Sequence, residues 1–193
     1  MRLAGIDFGA KKAGTTALAI LENEVVIVEQ CSKKDDADRW LMDKVEQYQP
    51  SIIAIDAPLS LPKIYSDQSV EGDYFYRKCD RTLKAMSPMF LGGLTARAIK
   101  LNRLWKRKGI NVIETYPGHL AQRFDKSNLR YKKDKKHIKY ICDQVNLFHN
   151  WSLKTPLDSW HQTDALLALS GVYRYSKGLT ESYGTADEGL IYV

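Results

Sequence analysis

The chain has 193 residues, 44% of them hydrophobic and 27% charged, with a net charge of +6 and a pI of about 9.1. That make-up predicts an ordinary soluble globular protein with one sizeable core, spanning 1–193 as a single domain. It excludes a membrane span, because no apolar run nears the ~20 residues one requires; three scattered cysteines make neither a disulfide framework nor a zinc pattern.

The first strand is expected at "LAGID", followed by a glycine-bounded turn, "GAKKAG". "TTALAILENEVVIVEQ" reads as two strands about a polar tip, making a three-stranded meander with the first. "DADRWLMDKVEQYQ" carries Trp40, Leu41, Val45 and Tyr48 at helical spacing and is closed by Pro50. "IIAID" is the next strand, reached by a right-handed parallel crossover. An irregular insertion is expected around 57–93, holding a short helix near "FYRKCDRTLKAM" and a turn at "SPMFLGG". "LTARAIKLNRLWKRKG" is an amphipathic helix ending at Gly109, and it leads to the strand "NVIET". Helical pieces fill "PGHLAQRF" and "DKKHIKYICDQVNLFH". The last helix, "HQTDALLALSGVYRYSKG", has Ser159 and Gln162 spaced as a capping box, and "EGLIYV" is a strand-like tail. The order predicts an α/β fold: a mixed five-stranded sheet, three strands in a meander and two in parallel crossovers, with helices on its faces.

Three of these strands stop at an acid. Asp7 ends the first, Asp56 ends "IIAID", and Glu114 falls near the end of "NVIET". Turn formation, loop capping or a surface lysine could each account for one of them. Together they would lie at the carboxyl ends of parallel strands, where open α/β sheets place ligands. Asp164 lies in the first turns of an otherwise apolar helix, and the small Gly171 on its face would let that helix approach the sheet. Crowded carboxylates repel strongly in a low-dielectric site, and a divalent cation removes the conflict. An oxygen-only donor set suits Mg²⁺ or Mn²⁺.

The bases gather elsewhere. One run contains Lys126, Arg130, Lys132, Lys133, Lys135, Lys136 and Lys139; another contains Arg97, Lys100, Arg103, Lys106, Arg107 and Lys108. Either is a solvated face or a contact surface for a phosphate backbone. Arg77 and Arg81, beside Asp80, either contact phosphates or form a surface ion pair, and Gly92 and Gly93 are either an ordinary helix entry or precede amides that could hold a phosphate. His161 stands one turn before Asp164, either as a structural histidine or placed to position a water or a leaving group.

The pieces "GIDFG", "IAIDAPLSLP", "RKCDRTL", "VIETYPG", "HQTDALLAL" and "DEGLIYV" run from one end of the chain to the other. In them the chain resembles the ribonuclease H-like superfamily, and in detail the DUF429 family of predicted nucleases. The resemblance implies that Asp7, Asp56, Glu114 and Asp164 are the acid positions of a metal-dependent catalytic site. The expected activity is a metal-dependent nuclease acting on phosphodiester bonds, in a reduced cytoplasmic setting, with nucleic acid as partner. Asp7 would bridge two metals, Asp56 and Asp164 would complete their shells, and Glu114 would hold a metal or orient water. A non-enzymatic nucleic-acid-binding protein is the first alternative. An actin-like phosphotransferase is less suited, since such enzymes close two lobes of this fold on a nucleotide and this chain has length for one.

Overall fold

The computed structural model describes residues 1–127 and 129–193. The chain opens with a meander of β1 (Leu3–Asp7), β2 (Ala17–Glu22) and β3 (Val25–Gln30). Helix α1 (Ala37–Tyr48) follows, capped by Asp36, whose side chain accepts from the amides of Asp38 and Arg39. Strand β4 (Ile52–Asp56) leads into the irregular segment, which holds α2 (Lys78–Leu83) and α3 (Pro88–Leu91). Next come α4 (Gly93–Arg107), β5 (Asn111–Thr115) and α5 (Pro117–Phe124). Helix α6 (Ile138–His149), β6 (Ser152–Leu153), α7 (Trp160–Ser176), β7 (Ser182–Thr185) and β8 (Gly189–Tyr192) complete the chain.

All strands join one sheet of order β6-β3-β2-β1-β4-β5-β8-β7. The middle five are the expected meander plus two parallel crossovers. The sheet is nonetheless eight strands wide rather than five. Strand β6 has only two residues, too short to leave a pattern. Strands β7 and β8 form a hairpin, and Gly184 and Gly189 in it take positive φ, which dilutes any alternation. The turn expected at "SPMFLGG" is the short helix α3, because Ser87 caps it ahead of a proline at its first position. In α7 only half of the expected capping box forms: Ser159 accepts from the Gln162 amide, while the Gln162 side chain accepts from the amide of Asp158.

Helices cover both faces. Helices α5, α6 and α7 lie over one, in a core with Leu3, Ala54 and Ile113. Helices α1 and α4 lie over the other, with Ile6, Ile53, Ile55 and Val112. Helix α7 is buried from Thr163 to Val172 and packs on β1, β2 and β4. Each fully buried leucine in it (Leu166, Leu167, Leu169) contributes about 1.5–3 kcal/mol of burial free energy. The close approach expected at Gly171 is made chiefly at Gly5 of β1. A Cβ at Gly5 would lie 2.1 Å from the Leu169 amide nitrogen and 2.4 Å from the Ala165 carbonyl oxygen. The sheet therefore meets the α7 backbone itself, one to five residues from Asp164.

Candidate metal centre

In the β1–β4 register Asp7 pairs with Asp56, so both carboxylates project from the same face at the carboxyl ends of adjacent parallel strands. That face is the one α7 covers, and α7 brings Asp164 to it. One carboxylate oxygen from each of Asp7, Asp56 and Asp164 lies within 4.8 Å of the others. Asp164 is 1% exposed and Asp7 8%, while Asp56 keeps partial exposure at the mouth of the cluster.

The neighbours are polar and basic. His161 Nδ1 lies 2.7 Å from Asp7 Oδ2. The Tyr131 hydroxyl donates to Asp164 Oδ1 at 2.6 Å, and the Lys132 ammonium lies 2.6 Å from Asp164 Oδ2. Both come from the segment between α5 and α6. Asp125 anchors that segment, accepting from the backbone amides of Arg130 and Tyr131 and from the Ser127 hydroxyl.

The electrostatics follow from crowding. Burial, then the charges of Asp7 and Asp164, push Asp56 well above the usual carboxylate range. Burial also pushes Asp164 up to about 6, although Lys132 pulls the other way. Burial alone would discharge Lys132, but its pairing with Asp164 more than reverses that and holds the ammonium protonated. The hydrogen bond to Asp7 raises His161. Burial and Asp164 raise the Tyr131 phenol, so it stays a donor. Three acids and one lysine leave the cluster short of positive charge. The donor set is all oxygen, two of its carboxyls resist ionising together, and one edge is open; a hard divalent cation fits these residues.

Glu114 does not join this cluster. It pairs in register with Ile55, not with Asp56, and a one-residue offset in a strand sends a side chain to the opposite face. There it meets Arg77, which is fully buried. Arg77 donates to both Glu114 oxygens at 2.6 and 2.8 Å, to both Asp80 oxygens at 2.6 and 3.0 Å, and to the Ser60 hydroxyl at 2.8 Å. Glu114 also accepts from the Leu59 amide. Arg77 is thus corrected from a phosphate contact to an internal tie: a guanidinium with no exposed surface cannot reach a substrate.

The remaining candidates lie apart. Arg81 is exposed, pairs with Asp73 and lies over the Tyr76 ring at 3.7 Å. Gly92 takes φ 47° and gives its amide to the Pro88 carbonyl, so that amide is not available to a phosphate. Gly93 is the first residue of α4. Lys133 and Lys135, one and three residues beyond Lys132, are exposed, while Lys136 pairs with Asp134. The two basic runs diverge along α4, although Arg97 in its first turns donates to the Gly9 carbonyl just past β1. Lys132 reaches the carboxyl ends of the strands, whereas α4 descends toward the start of β5 and carries Lys106 and Arg107 away from them. Arg97 is bound to Asp38 and lies over Phe8 at 4.5 Å. Sequence reasoning missed Tyr131 as a neighbour of the acids; its only trace was an aromatic set inside the basic run "RYKKDKK".

A mixed sheet of this order, backed by helices on both faces, with acids at the ends of its central parallel strands, defines the ribonuclease H-like fold. Among solved structures the chain is similar to the yeast mitochondrial Holliday junction resolvase Ydc2, at 13% identity and a TM-score of 0.50 over 92% of this chain and 79% of that one. It also aligns with the fowlpox virus resolvase solved with Holliday junction DNA, at 16% identity and a TM-score of 0.38 over 92% and 99% of the two chains. At 13% identity the likeness to the Ydc2 structure is one of fold. No family model matches the chain, and no curated protein matches it by sequence. Among the described residues, no helix is long and apolar enough to cross a membrane.

Proposed function

We propose that the protein is a divalent-metal-dependent nuclease-like hydrolase of phosphodiester bonds, acting on nucleic acid. The observation that carries this reading is the convergence of Asp7, Asp56 and Asp164, from two adjacent strands and a helix, within 4.8 Å. Those three side chains would hold Mg²⁺ or Mn²⁺, with Asp7, central in the group, as the shared ligand. A divalent ion supplies positive charge for the phosphoryl oxygens and lowers the pKa of water. His161 uses Nδ1 toward Asp7, which leaves Nε2 to take or return a proton at the reacting oxygen. Lys133 and Lys135, exposed one and three residues beyond Lys132, would hold the phosphate backbone. Glu114, tied to Arg77, would keep the segment after β4 in place and so support Asp56 from the next strand. The chain would act as one domain in a reducing, cytoplasmic setting, and the motifs quoted above resemble those of the DUF429 family.

A second reading has one observation in its favour: the Lys132–Asp164 pair neutralises part of the cluster without any metal. That suits a protein that binds nucleic acid and does not cut it. One screen separates the two. Single-stranded and duplex DNA, RNA and a four-way DNA junction are incubated with Mg²⁺ or Mn²⁺, using the wild type and Asp56→Asn. The nuclease reading expects metal-dependent cleavage of at least one substrate, abolished in Asp56→Asn with binding retained. Binding without cleavage under every condition leaves the second reading. The junction is included because the similar solved structure is a junction resolvase.

A further inference from the structure

Lys132 differs from the rest of its basic run. Its ammonium lies 2.6 Å from a carboxylate that is 1% exposed, while its own side chain is 51% exposed. The stem leans on the Tyr131 ring, with the ammonium 5.3 Å from the ring centre. Its backbone takes φ 55°, a left-handed conformation uncommon for an L side chain and here held by its surroundings. The hold is visible: Asp125 fixes the amides of Arg130 and Tyr131, and Tyr131 and Lys132 together occupy both oxygens of Asp164. The segment is thus shaped to deliver one positive charge into a group of three acids.

We infer that Lys132 is a resident counter-cation of the carboxylate centre, which leaves Asp164 when a divalent ion enters. This rests on the metal-centre reading above. An ammonium and a divalent cation cannot share one small oxygen-lined site, because they repel each other where the acids attract both. The asymmetry of exposure decides which group moves. Asp164 is held in a buried helix, whereas Lys132 can rotate its half-exposed chain into water without unseating the backbone that Asp125 holds. Before metal arrives, the lysine restrains the repulsion among Asp7, Asp56 and Asp164. After it arrives, the freed ammonium stands at the mouth of the centre beside Lys133 and Lys135, on the side a phosphate chain would approach. Metal loading therefore adds a positive charge to the nucleic-acid surface as well as to the site, and the two ligands favour each other reciprocally.

Isothermal calorimetry with Mn²⁺ alone, without nucleic acid, tests this on the wild type and on Lys132→Met, which keeps a flexible apolar stem and removes the charge. Removing a competing charge should tighten Mn²⁺ binding about tenfold or more, and the metal-free variant should melt below the wild type. Lys132→Arg retains the competitor and should bind no more tightly than the wild type. A second measurement needs no variant. Acylation of the Lys132 amine, read by peptide mass spectrometry, should speed up when Mn²⁺ is added to the wild type, and should not change in Asp56→Asn. Equal or weaker Mn²⁺ binding by Lys132→Met, or a Lys132 amine whose labelling ignores Mn²⁺ in a wild type that binds it, overturns the counter-cation role and leaves the metal centre standing. Absence of Mn²⁺ binding in both wild type and Lys132→Met overturns both together.

Discussion

Two sets of buried acids sit on opposite faces of the same three strands. On the α4 side, Glu114 and Asp80 share Arg77, and every guanidinium nitrogen is used. On the α7 side, Asp7, Asp56 and Asp164 share one lysine that reaches only one of them directly. The first set is one positive charge short, two carboxylates against one guanidinium, but it is closed by geometry: every guanidinium nitrogen and both oxygens of each acid are engaged. The second is two short, three carboxylates against one lysine, and opens at Asp56. Buried acids alone therefore do not mark a functional site; the sign and number of the partners do.

The comparison is most exposed to Arg77→Met. Removing the guanidinium leaves two buried carboxylates unpaired, which should cost about 3–5 kcal/mol in chemical denaturation. A cost below about 1 kcal/mol would break the claim that this face is structural. The same variant made with Glu114→Gln and Asp80→Asn should recover part of the loss, because the buried charges go with their partner.

Metal should act on the other face alone. Free Mn²⁺ at ~100 times its Kd should stabilise the wild type by about 2.7 kcal/mol. Asp7→Asn should lose most of that gain, and Glu114→Gln should keep it. Equal gains in all three proteins would erase the distinction between the faces.

Acid titration gives a smaller but signed effect. The carboxyl of Asp164 is pushed up to about 6 in the fold, against an unfolded value near 3.8. The fold therefore binds this proton more tightly than the unfolded chain does. Its contribution to stability is full below the unfolded value and is lost as pH rises through about 6. On this account the metal-free wild type loses about 1–3 kcal/mol relative to Asp164→Asn between pH 4 and 7. Saturating Mn²⁺ should flatten that difference. A pH-independent difference between the two proteins would mean that Lys132 and Tyr131 already hold Asp164 ionised at acid pH.

The smallest effect concerns the rim. Lys133→Ala with Lys135→Ala should lower the slope of log affinity against log salt for duplex DNA by about 0.9 per lost phosphate contact. Cleavage at saturating substrate should remain. An unchanged slope makes these two lysines a solvated face.

The sequence made one face readable and the other misleading. Asp7 and Asp56 could be placed together because each ends a strand of equal length, and the crossover rule makes those strands parallel. Asp164 stood out as a charge in an apolar helix. Glu114 has the same local signature, an acid at the end of an apolar run, yet it points the other way. What separates it is the pairing of Ile55 with Glu114, a register set by the β4–β5 crossover and by packing on α4, neither of which leaves a local mark. Arg77 reads from the sequence as a phosphate contact, because its three-residue spacing from Asp80 on a short helix says nothing about what covers it. Lys132 was one lysine among many in its run, and only the turn held by Asp125 singles it out. The closest approach of helix to sheet was sought at a glycine in the helix, whereas it falls at Gly5 in the strand, where a one-residue gap in an apolar run is easily overlooked.

That contact at Gly5 has a further consequence. With strand and helix touching backbone to backbone, α7 cannot slide along β1 or lift from it without opening the core. The separation between Asp164 and the pair on the strands then works as a ruler cut to one length. If the centre takes the divalent ion proposed above, a cavity with that stiffness would sort ions by radius: it would suit the short, regular coordination of Mg²⁺ or Mn²⁺ and disfavour Ca²⁺, whose longer bonds need ligands that give way.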